Sequence, residues 1–532
     1  MSEASERKHR QPAGLNVTTR QRVNDRLLFY ITVSITGAAV MMIELLGTRI
    51  IGPFYGVSLI VWSSLISVAL IALSLGYYTG GMLADHSRTI RLSHIVLLAA
   101  VCIGLIPLIS EPVQTATDIL GLRAGAFTSA LILFTVPLML LGMVGPFVIK
   151  MAAYRLDDIG STAGNVYAIS TLGSVVGTLV LGFFLLPLAG TRVIILTLSI
   201  VLTLLSLILG FYEHRKLKTG NSPLRWATVC LLVIIALTAL FFLHGRKTYD
   251  DYAVLSDEES YYGWVRVVDD KDRNIRWLMS DSSTIGAEDL HSGSSLLGYQ
   301  LVTGLLPWFD EQGRELLLIG LGAGHLVKTY GNYGIITDTI EIDPAVANAA
   351  KTYFSFKPTG RLILGDARYQ IKKIHKQYDF IVHDCFTGGA EPIHMLSLEM
   401  ITELKKHLKP DGILALNFVG FTREKDLKPV QSVARTLDQV FQNRRTFVSA
   451  PGAVFNDFIF VVSDRPLFIA GNNGDGTGDM VDWLHRHEVS VTGKGGTVIT
   501  DDFNPLENLQ IAKAEYYRKL LIERVGKDIL FR

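Results

Sequence analysis

The sequence predicts two architectures in one chain: an all-α N-terminal domain that spans a membrane, and a C-terminal α/β domain with a doubly wound, Rossmann-like sheet. Two observations predict this division. The apolar residues that give the 532-residue chain a mean hydropathy of +0.34 lie almost entirely before residue 245. After Tyr249 charged residues return, and short apolar runs alternate with amphipathic stretches, which is the pattern of an α/β domain.

Seven apolar segments in the first half are long enough to cross a bilayer as helices. They span residues 27–47, 59–83, 92–110, 126–149, 164–187, 193–212 and 226–243. The first 26 residues are polar and basic, so we expect no cleavable signal. The sequence therefore predicts a basic tail at 1–26 and a multi-pass transmembrane domain at 27–245, in contact with the lipid bilayer.

The loops between these segments differ in positive charge. One set carries most of the lysines and arginines, whereas the other carries only Arg49, Arg123 and Arg192. Because loops rich in Lys and Arg stay in the cytoplasm, we expect a cytoplasmic N-terminus. Seven crossings would place the second half outside, although Arg246 and Lys247 favour an inside end, so the side of the second half stays open.

Two features of the membrane half bear on its packing and chemistry. Glu44 lies in the first span, where a carboxylate is costly. Near the helix end it either pairs with Arg49 or extends to the membrane surface; alternatively, it binds a cation in a transport or substrate pathway. Gly76, Gly80 and Ala84 recur four residues apart, which predicts close helix packing.

The second half is predicted to begin with a small β-hairpin lid. Residues 261–285 alternate apolar and polar side chains around a charged turn at 269–274. We assign 250–310 to this lid and its lead-in, 311–510 to the Rossmann-like domain, and 511–532 to a C-terminal amphipathic helix. The strands of the main sheet are predicted near 315–320, 337–342, 361–365, 378–383, 412–418, 444–449 and 457–463.

A glycine-rich loop and a series of acidic residues predict a ligand crevice in this sheet. The loop after the first strand contains Gly320, Gly322 and Gly324, which let the backbone approach a ligand closely. Acidic residues then end three successive strands, and parallel strands bind ligands at this edge. They are Glu341 and Asp343, Asp366, and Asp384.

The spacing of these acids predicts a nucleoside ligand. Glu341 lies about 20 residues after the loop, where an acidic side chain accepts the hydroxyls of a ribose. Asp366, with the backbone of Ala367, is placed to contact an adenine edge, and Asp384 would lie beside the reactive part of the ligand. A net charge of +1 does not indicate a nucleic-acid partner, and we predict no metal site. Three cysteines, two of them in predicted spans, exclude a disulfide framework.

Residues 255–510 resemble the spermidine synthase (aminopropyltransferase) family, which has the class I methyltransferase type of Rossmann-like fold. The resemblance lies in the motifs SYYGWVRV, GLGAGHL, EIDP, GDARY, HDCFTGGAEPIHMLSLEM and TDDFNP. With its multi-spanning first half, the chain further resembles the membrane-bound spermidine synthase-like proteins of bacteria. This implies a bacterial cytoplasmic (inner) membrane protein that transfers an aminopropyl group to an amine or polyamine and releases 5′-methylthioadenosine. S-adenosylmethionine or its decarboxylated form would be the co-substrate, with no tightly bound cofactor.

The resemblance also implies roles for individual residues. The three glycines would line the donor, Glu341 would hold its ribose, and Asp366 its adenine. Asp384 would orient the acceptor amine and help to remove its proton.

The chain departs from the soluble synthases at several acidic positions. Ala323 replaces the acidic residue that holds the donor's amine, and Asp384 is followed by Cys385 without a second acid. The substrate candidates that remain are Tyr299, Gln300, Asp281 and Glu391.

Because of these departures, two alternatives stay open. One is other S-adenosylmethionine chemistry, such as methyl transfer, cleavage or cyclisation. The other is a polyamine or metabolite transporter or sensor with a nucleoside-binding regulatory domain. A homo-oligomer also stays open.

Overall fold

The structure is a computed structural model. It describes residues 19–56, 59–86, 90–153, 159–217, 223–244, 252–281, 283–386, 391–469, 477–526 and 529. Most of the predicted basic tail, together with Arg246 and Lys247, lies outside the described residues.

The N-terminal half is mainly helical. Its helices are α1 (Thr19–Tyr55), α2 (Leu59–His86), α3 (Leu92–Thr117), α4 (Gly121–Ala152), α5 (Ile159–Val180), α6 (Leu186–Leu188), α7 (Thr191–Leu217) and α8 (Pro223–His244). A π-helical turn, Leu181–Leu185, joins α5 to α6.

Within the described residues, six apolar helical stretches are long enough to cross a membrane, judged by length and composition. They are Asp25–Tyr55, Leu59–His86, Leu92–Ala152, Ile159–Leu185, Thr191–Lys216 and Pro223–Phe242. The third stretch contains both α3 and α4, which pack against each other, and so it covers two of the seven predicted spans.

Helices α2 and α4 pack closely where the sequence has small residues. A Cβ on Gly76 would lie 2.3 Å from the Met139 carbonyl oxygen, and one on Gly80 would lie 2.6 Å from Met143 Cα. Such distances leave no room for a side chain, so the predicted role of these glycines in helix packing is confirmed.

The lid is larger than the predicted hairpin. It is a four-stranded antiparallel sheet in the order β1 (Tyr252–Glu259), β2 (Trp264–Asp270), β3 (Ile275–Ser280) and β4 (Ser283–Asp289). The predicted hairpin corresponds to β2 and β3. Nearly every residue of β2 is buried, and a buried strand needs a hydrogen-bonded neighbour on each edge, which explains why β1 also pairs with it.

The main sheet has seven strands, close to the seven predicted positions. They are β5 (Glu315–Ile319), β6 (Ile336–Glu341), β7 (Leu362–Leu364), β8 (Tyr378–His383), β9 (Leu408–Phe421), β10 (Asn443–Val448) and β11 (Phe455–Ser463). Their spatial order is β10-β11-β9-β8-β5-β6-β7. Because β11 runs antiparallel to both of its neighbours, the sheet is mixed, a direction that the predicted doubly wound, Rossmann-like fold did not specify for this strand.

Helices cover the sheet in a Rossmann-like α/β arrangement. They are α9 (Gly298–Thr303), α10 (His325–Asn332), α11 (Pro344–Tyr353), α12 (Ala367–Ile371), α13 (Leu398–Lys406), α14 (Lys428–Leu437), α15 (Thr477–His487) and α16 (Leu506–Leu509). The helix α17 (Ile511–Val525) follows them, and its Leu521 and Val525 pack with the core of the N-terminal half. Alternate residues of β5 enter different cores: Leu317 and Ile319 pack in one, Leu316 and Leu318 in the other. The continuous apolar run of β5 therefore predicts a strand with helices packed on both faces of its sheet.

The two halves of the chain touch at several points. Arg49 of α1 donates hydrogen bonds to the carbonyl oxygens of Ser260 and Tyr261, so its partners include the lid. The sequence had offered Glu44 as one alternative partner for Arg49, and it did not indicate the lid. On the opposite end of the chain, Arg518 of α17 forms an ion pair with Asp118, 2.7 Å away, between α3 and α4.

Candidate active site

The glycine-rich loop between β5 and α10 packs closely against the loop that follows β8. Gly320 has a φ of +94°, and a Cβ there would lie 2.0 Å from the carbonyl oxygen of Asp384. Gly322 lies against the Ile285 carbonyl of the lid, and Gly324 is the N-cap of α10. The loop therefore lies between the lid and Asp384.

Glu341 links this loop to the end of β6. Its carboxylate accepts hydrogen bonds from the backbone N–H groups of Leu321 and Asp343, both at 2.9 Å. The side chain is buried, and burial raises the pKa of the Glu341 carboxyl above its ordinary value.

Asp343 has two structural partners. Its Oδ1 accepts from the Ala345 N–H at 2.9 Å and so caps α11. Its Oδ2 accepts from the Ser260 hydroxyl of the lid at 2.5 Å. Asp343 thus connects the lid to the floor of the crevice.

Asp366 and Ala367 begin α12 at the next strand end. The Asp366 carboxylate accepts from the Tyr369 N–H at 2.8 Å and caps the helix, while Ala367 packs on the core. Sequence reasoning missed Tyr262, although it lies in the YYGW motif. Burial, followed by the phenol of Tyr261 and the carboxylates of Asp343 and Asp366, raises the pKa of Tyr262.

Asp384 accepts two hydrogen bonds at the end of β8. Tyr299 donates its hydroxyl to Oδ2 at 2.7 Å, and the Asn417 amide donates to Oδ1 at 3.1 Å. Burial raises the pKa of Asp384 to about 6, although both hydrogen bonds oppose the shift. A carboxyl group with this pKa exchanges a proton close to neutral pH.

The hydrogen bonds around Asp384 leave two buried amide oxygens without partners among the described residues. Because Tyr299 donates to Asp384, its oxygen accepts from the Gln300 side-chain amide at 3.2 Å. This leaves the Gln300 Oε1 and Asn417 Oδ1 atoms unsatisfied. Buried acceptors without donors are rare, and a water molecule or a ligand with N–H or O–H groups would complete them.

Two further acids lie near Asp384. Asp457 lies near the start of β11 and pairs with Val419 of β9. Because β11 runs antiparallel to β9, Asp457 lies at the edge of the sheet where β8 ends. Its carboxylate accepts from Ser449 at 2.7 Å, and it contributes with Glu391 to the raised pKa of Asp384. Sequence reasoning missed Asp457, whose signal is an acid in the apolar run FNDFIF.

Glu391, a predicted substrate residue, forms a buried ion pair with Lys513 of α17. Its other oxygen accepts from the Val419 N–H at 2.7 Å. The Lys513 ammonium also lies 4.6 Å from the centre of the Phe418 ring. The negative charge of Glu391 is therefore matched by a lysine that the sequence pattern did not indicate.

Asp281, the other predicted substrate acid, lies in a cavity between the lid and the membrane half. Arg49, Phe54 and Trp264 are among the residues that line this cavity, which encloses about 660 Å³ including its opening to solvent. The Asp281 carboxylate accepts from the Trp264 N–H at 2.9 Å. Burial raises the pKa of Asp281, and nearby Arg49 opposes that shift.

Ala323 is buried beneath the lid. A Cβ on Gly286 of β4 would lie 2.7 Å from the Ala323 side chain, so this position is packed and apolar. Among the described residues, no group of three or more His, Cys, Asp or Glu side chains could hold a metal ion.

Comparison with known proteins assigns the C-terminal part to a domain type. Residues 299–464 match the spermine/spermidine synthase domain. The chain is 31% identical over 224 residues to an N-terminal histidine N-methyltransferase from Emericella nidulans, covering 38% of this chain and 39% of that protein. It is 37% identical over 125 residues to a polyamine aminopropyltransferase from Vibrio vulnificus, covering 22% of this chain and 40% of that protein.

A solved structure, a probable spermidine synthase from Corynebacterium glutamicum, matches with a TM-score of 0.37 and 16% identity over 43% of this chain and 85% of that chain. The chain spans about two fifths of the length of the two curated relatives named above. Its C-terminal part is a transferase domain of the spermidine synthase type.

Proposed function

We propose that this protein is an integral-membrane enzyme that transfers an aminopropyl group from decarboxylated S-adenosylmethionine to an amine. The observation that carries the proposal is the arrangement at Asp384: its carboxyl group has a raised pKa, and its hydrogen-bond network includes Gln300 and Asn417, whose amide oxygens have no partner within the described part of the chain. Carboxylate and amide oxygens are acceptors, which is the chemistry that an ammonium or amine donor requires.

Asp384 would act on the acceptor amine. A protonated amine has no lone pair, so the carboxylate first attracts the ammonium and then takes its proton. The freed nitrogen attacks the aminopropyl carbon attached to the donor sulfur. The carbon–sulfur bond breaks with its electron pair moving to sulfur, and neutral 5′-methylthioadenosine leaves. Because the leaving group needs no protonation, alignment of the two substrates supplies most of the remaining acceleration.

The donor would lie along the ends of β5, β6 and β7. Glu341 would accept the ribose hydroxyls, and Asp366 with Ala367 would contact the adenine. The hydrogen bond between Ser260 of the lid and Asp343 supports a lid beside the nucleoside, and the spermine/spermidine synthase domain match supports the donor class.

The test is product formation by purified full-length protein. Incubation with decarboxylated S-adenosylmethionine and a set of mono- and diamines should release 5′-methylthioadenosine, detected by mass spectrometry. Asp384→Asn should abolish release while nucleoside binding persists. Glu341→Gln and Asp366→Asn should weaken nucleoside binding, and unchanged affinity in both would contradict the placement of the donor.

Methyl transfer from intact S-adenosylmethionine is the second candidate. Two observations favour it: Ala323 leaves an apolar position where the soluble synthases have an acid, and the relative from Emericella nidulans is named as a methyltransferase. The same assay with S-adenosylmethionine separates the candidates, since methyl transfer yields S-adenosylhomocysteine and aminopropyl transfer yields 5′-methylthioadenosine.

The membrane placement is part of the proposal. The six apolar helical stretches support it, as does the unequal loop charge. We place the enzyme in a bacterial cytoplasmic membrane with a cytoplasmic N-terminus. Retention of the full-length protein in the membrane fraction after alkaline carbonate extraction is the expected result, and its release would contradict the proposal.

A further inference from the structure

The turn that joins β1 to β2 is closed by its own hydrogen bonds. The Ser260 N–H donates to the Gly263 carbonyl at 2.8 Å. The Ser260 hydroxyl oxygen accepts from the N–H groups of Tyr262 and Gly263, both at 3.0 Å. We call residues 260–263 the lid turn.

Arg49 of α1 holds the lid turn from the side of the membrane half. Its Nη1 donates to the Ser260 carbonyl at 3.2 Å, and its Nη2 donates to the Tyr261 carbonyl. A planar guanidinium with several donors can bind two neighbouring carbonyl groups at once, which a lysine ammonium does less well. This contact joins positions 211 and 212 residues apart in the chain.

The lid turn also contacts the donor crevice. The Ser260 hydroxyl donates to Asp343 at 2.5 Å, and the Asp343 N–H donates to Glu341 at 2.9 Å. A continuous series of hydrogen bonds therefore runs from a membrane helix to the carboxylate assigned to the ribose.

We propose that Arg49 is a positioning residue for the donor site: by binding two carbonyls of the lid turn, it holds the Ser260 hydroxyl against Asp343. The membrane half then orders the nucleoside site of the soluble half, in addition to anchoring it. This inference rests on the proposed function, because it assumes that an adenosyl donor binds at Glu341.

The experiment measures nucleoside affinity and turnover of the full-length protein in detergent, with 5′-methylthioadenosine, S-adenosylhomocysteine and both sulfonium donors as probes. Arg49→Met removes both hydrogen bonds, and we expect the dissociation constant of the bound nucleoside to rise about tenfold. Arg49→Lys keeps the positive charge but lacks the planar guanidinium that binds both carbonyl groups, so it should recover only part of the lost nucleoside affinity. The donor KM should rise in both variants, whereas kcat at saturating donor should change little, because Asp384 is untouched.

Two further variants separate the lid turn from general contact between the halves. Arg518→Met breaks another inter-half contact, the one with Asp118, and should leave nucleoside affinity unchanged. Ser260→Ala removes the hydroxyl that reaches Asp343 and should weaken nucleoside binding. Both changes act through one series of hydrogen bonds. The double variant, Arg49→Met with Ser260→Ala, should therefore raise the nucleoside dissociation constant by less than the product of the two single-variant increases.

A readout without ligand completes the test. Hydrogen exchange of the Tyr262 and Gly263 amides should accelerate in Arg49→Met and remain unchanged in Arg518→Met. If the wild-type protein binds no probe, the proposed function fails and the inference fails with it. If the wild type binds a probe and Arg49→Met binds it equally well, or if amide exchange in the lid turn does not change, only the role of Arg49 is overturned.

Discussion

Tyr299 and Asp384 are 85 residues apart in the chain, yet the tyrosine hydroxyl donates to the carboxylate at 2.7 Å. Tyr299 lies on α9, before the first strand of the main sheet, and Asp384 follows β8. This bond holds the acid that is proposed to receive the acceptor's proton, and it orients Gln300 through the tyrosine oxygen.

Asp384→Asn should remove turnover without destabilising the fold. Loss of a general base typically lowers the rate by about 10²–10⁴-fold. The raised pKa means that the ionised carboxylate is disfavoured in the folded protein, so stability is lost as the pH rises through about 6. Asparagine should therefore leave the melting temperature at pH 7 unchanged or higher. Thermal unfolding and a turnover assay check both parts, and a large drop in melting temperature would show a structural role instead.

The pH dependence of the reaction should follow Asp384. Only the ionised form can accept a proton, so kcat/KM should fall as the pH drops below about 6. The Tyr299 hydrogen bond favours the ionised form, so Tyr299→Phe should move this inflection to higher pH. Initial rates between pH 5 and 9 give the profile for both proteins. An inflection that does not respond to Tyr299→Phe would assign it to another group.

Gly320→Ala should damage the crevice more than the same substitution at Gly334, another glycine with a positive φ. Both Gly320 and Gly334 have positive φ, at +94° and +72°, but a Cβ on Gly334 meets nothing within 4 Å. Gly334→Ala should thus cost only about 1 kcal/mol of backbone strain. Gly320→Ala adds a collision with the Asp384 carbonyl and should cost several times more and abolish nucleoside binding. Denaturant titration of both variants, with binding measured on the folded fraction, makes the comparison.

The ion pair between Glu391 and Lys513 should be strongly coupled. Lys513→Met leaves a buried carboxylate without its cation, which typically costs about 3–5 kcal/mol. Adding Glu391→Gln should recover much of the loss, because glutamine is neutral and its oxygen still accepts from the Val419 N–H. Unfolding free energies of the two single variants and the double variant form the cycle. Additive losses would show that the two side chains contribute independently.

Much of the sheet and half of the site could be predicted from local pattern. The strand ending at Ile319, the positive-φ glycines after it, and the acids at Glu341, Asp366 and Asp384 all follow from periodicity and spacing. The lid was underestimated, because β1 has mostly exposed or half-buried residues and gives no clear alternation. Ligand roles for these acids stay predictions.

The sequence by itself determined where apolar segments, strands and loops lie, because those depend on the side chains of neighbouring residues. Tertiary structure alone decided which distant groups meet. The antiparallel direction of β11 places Asp457 at the same edge as Asp384. Lys513 of α17 forms the ion pair with Glu391, and Arg49 of α1 donates a hydrogen bond to the lid turn. Such pairings depend on strand direction and on the packing of helices far apart in the chain, and neither property is encoded in local periodicity.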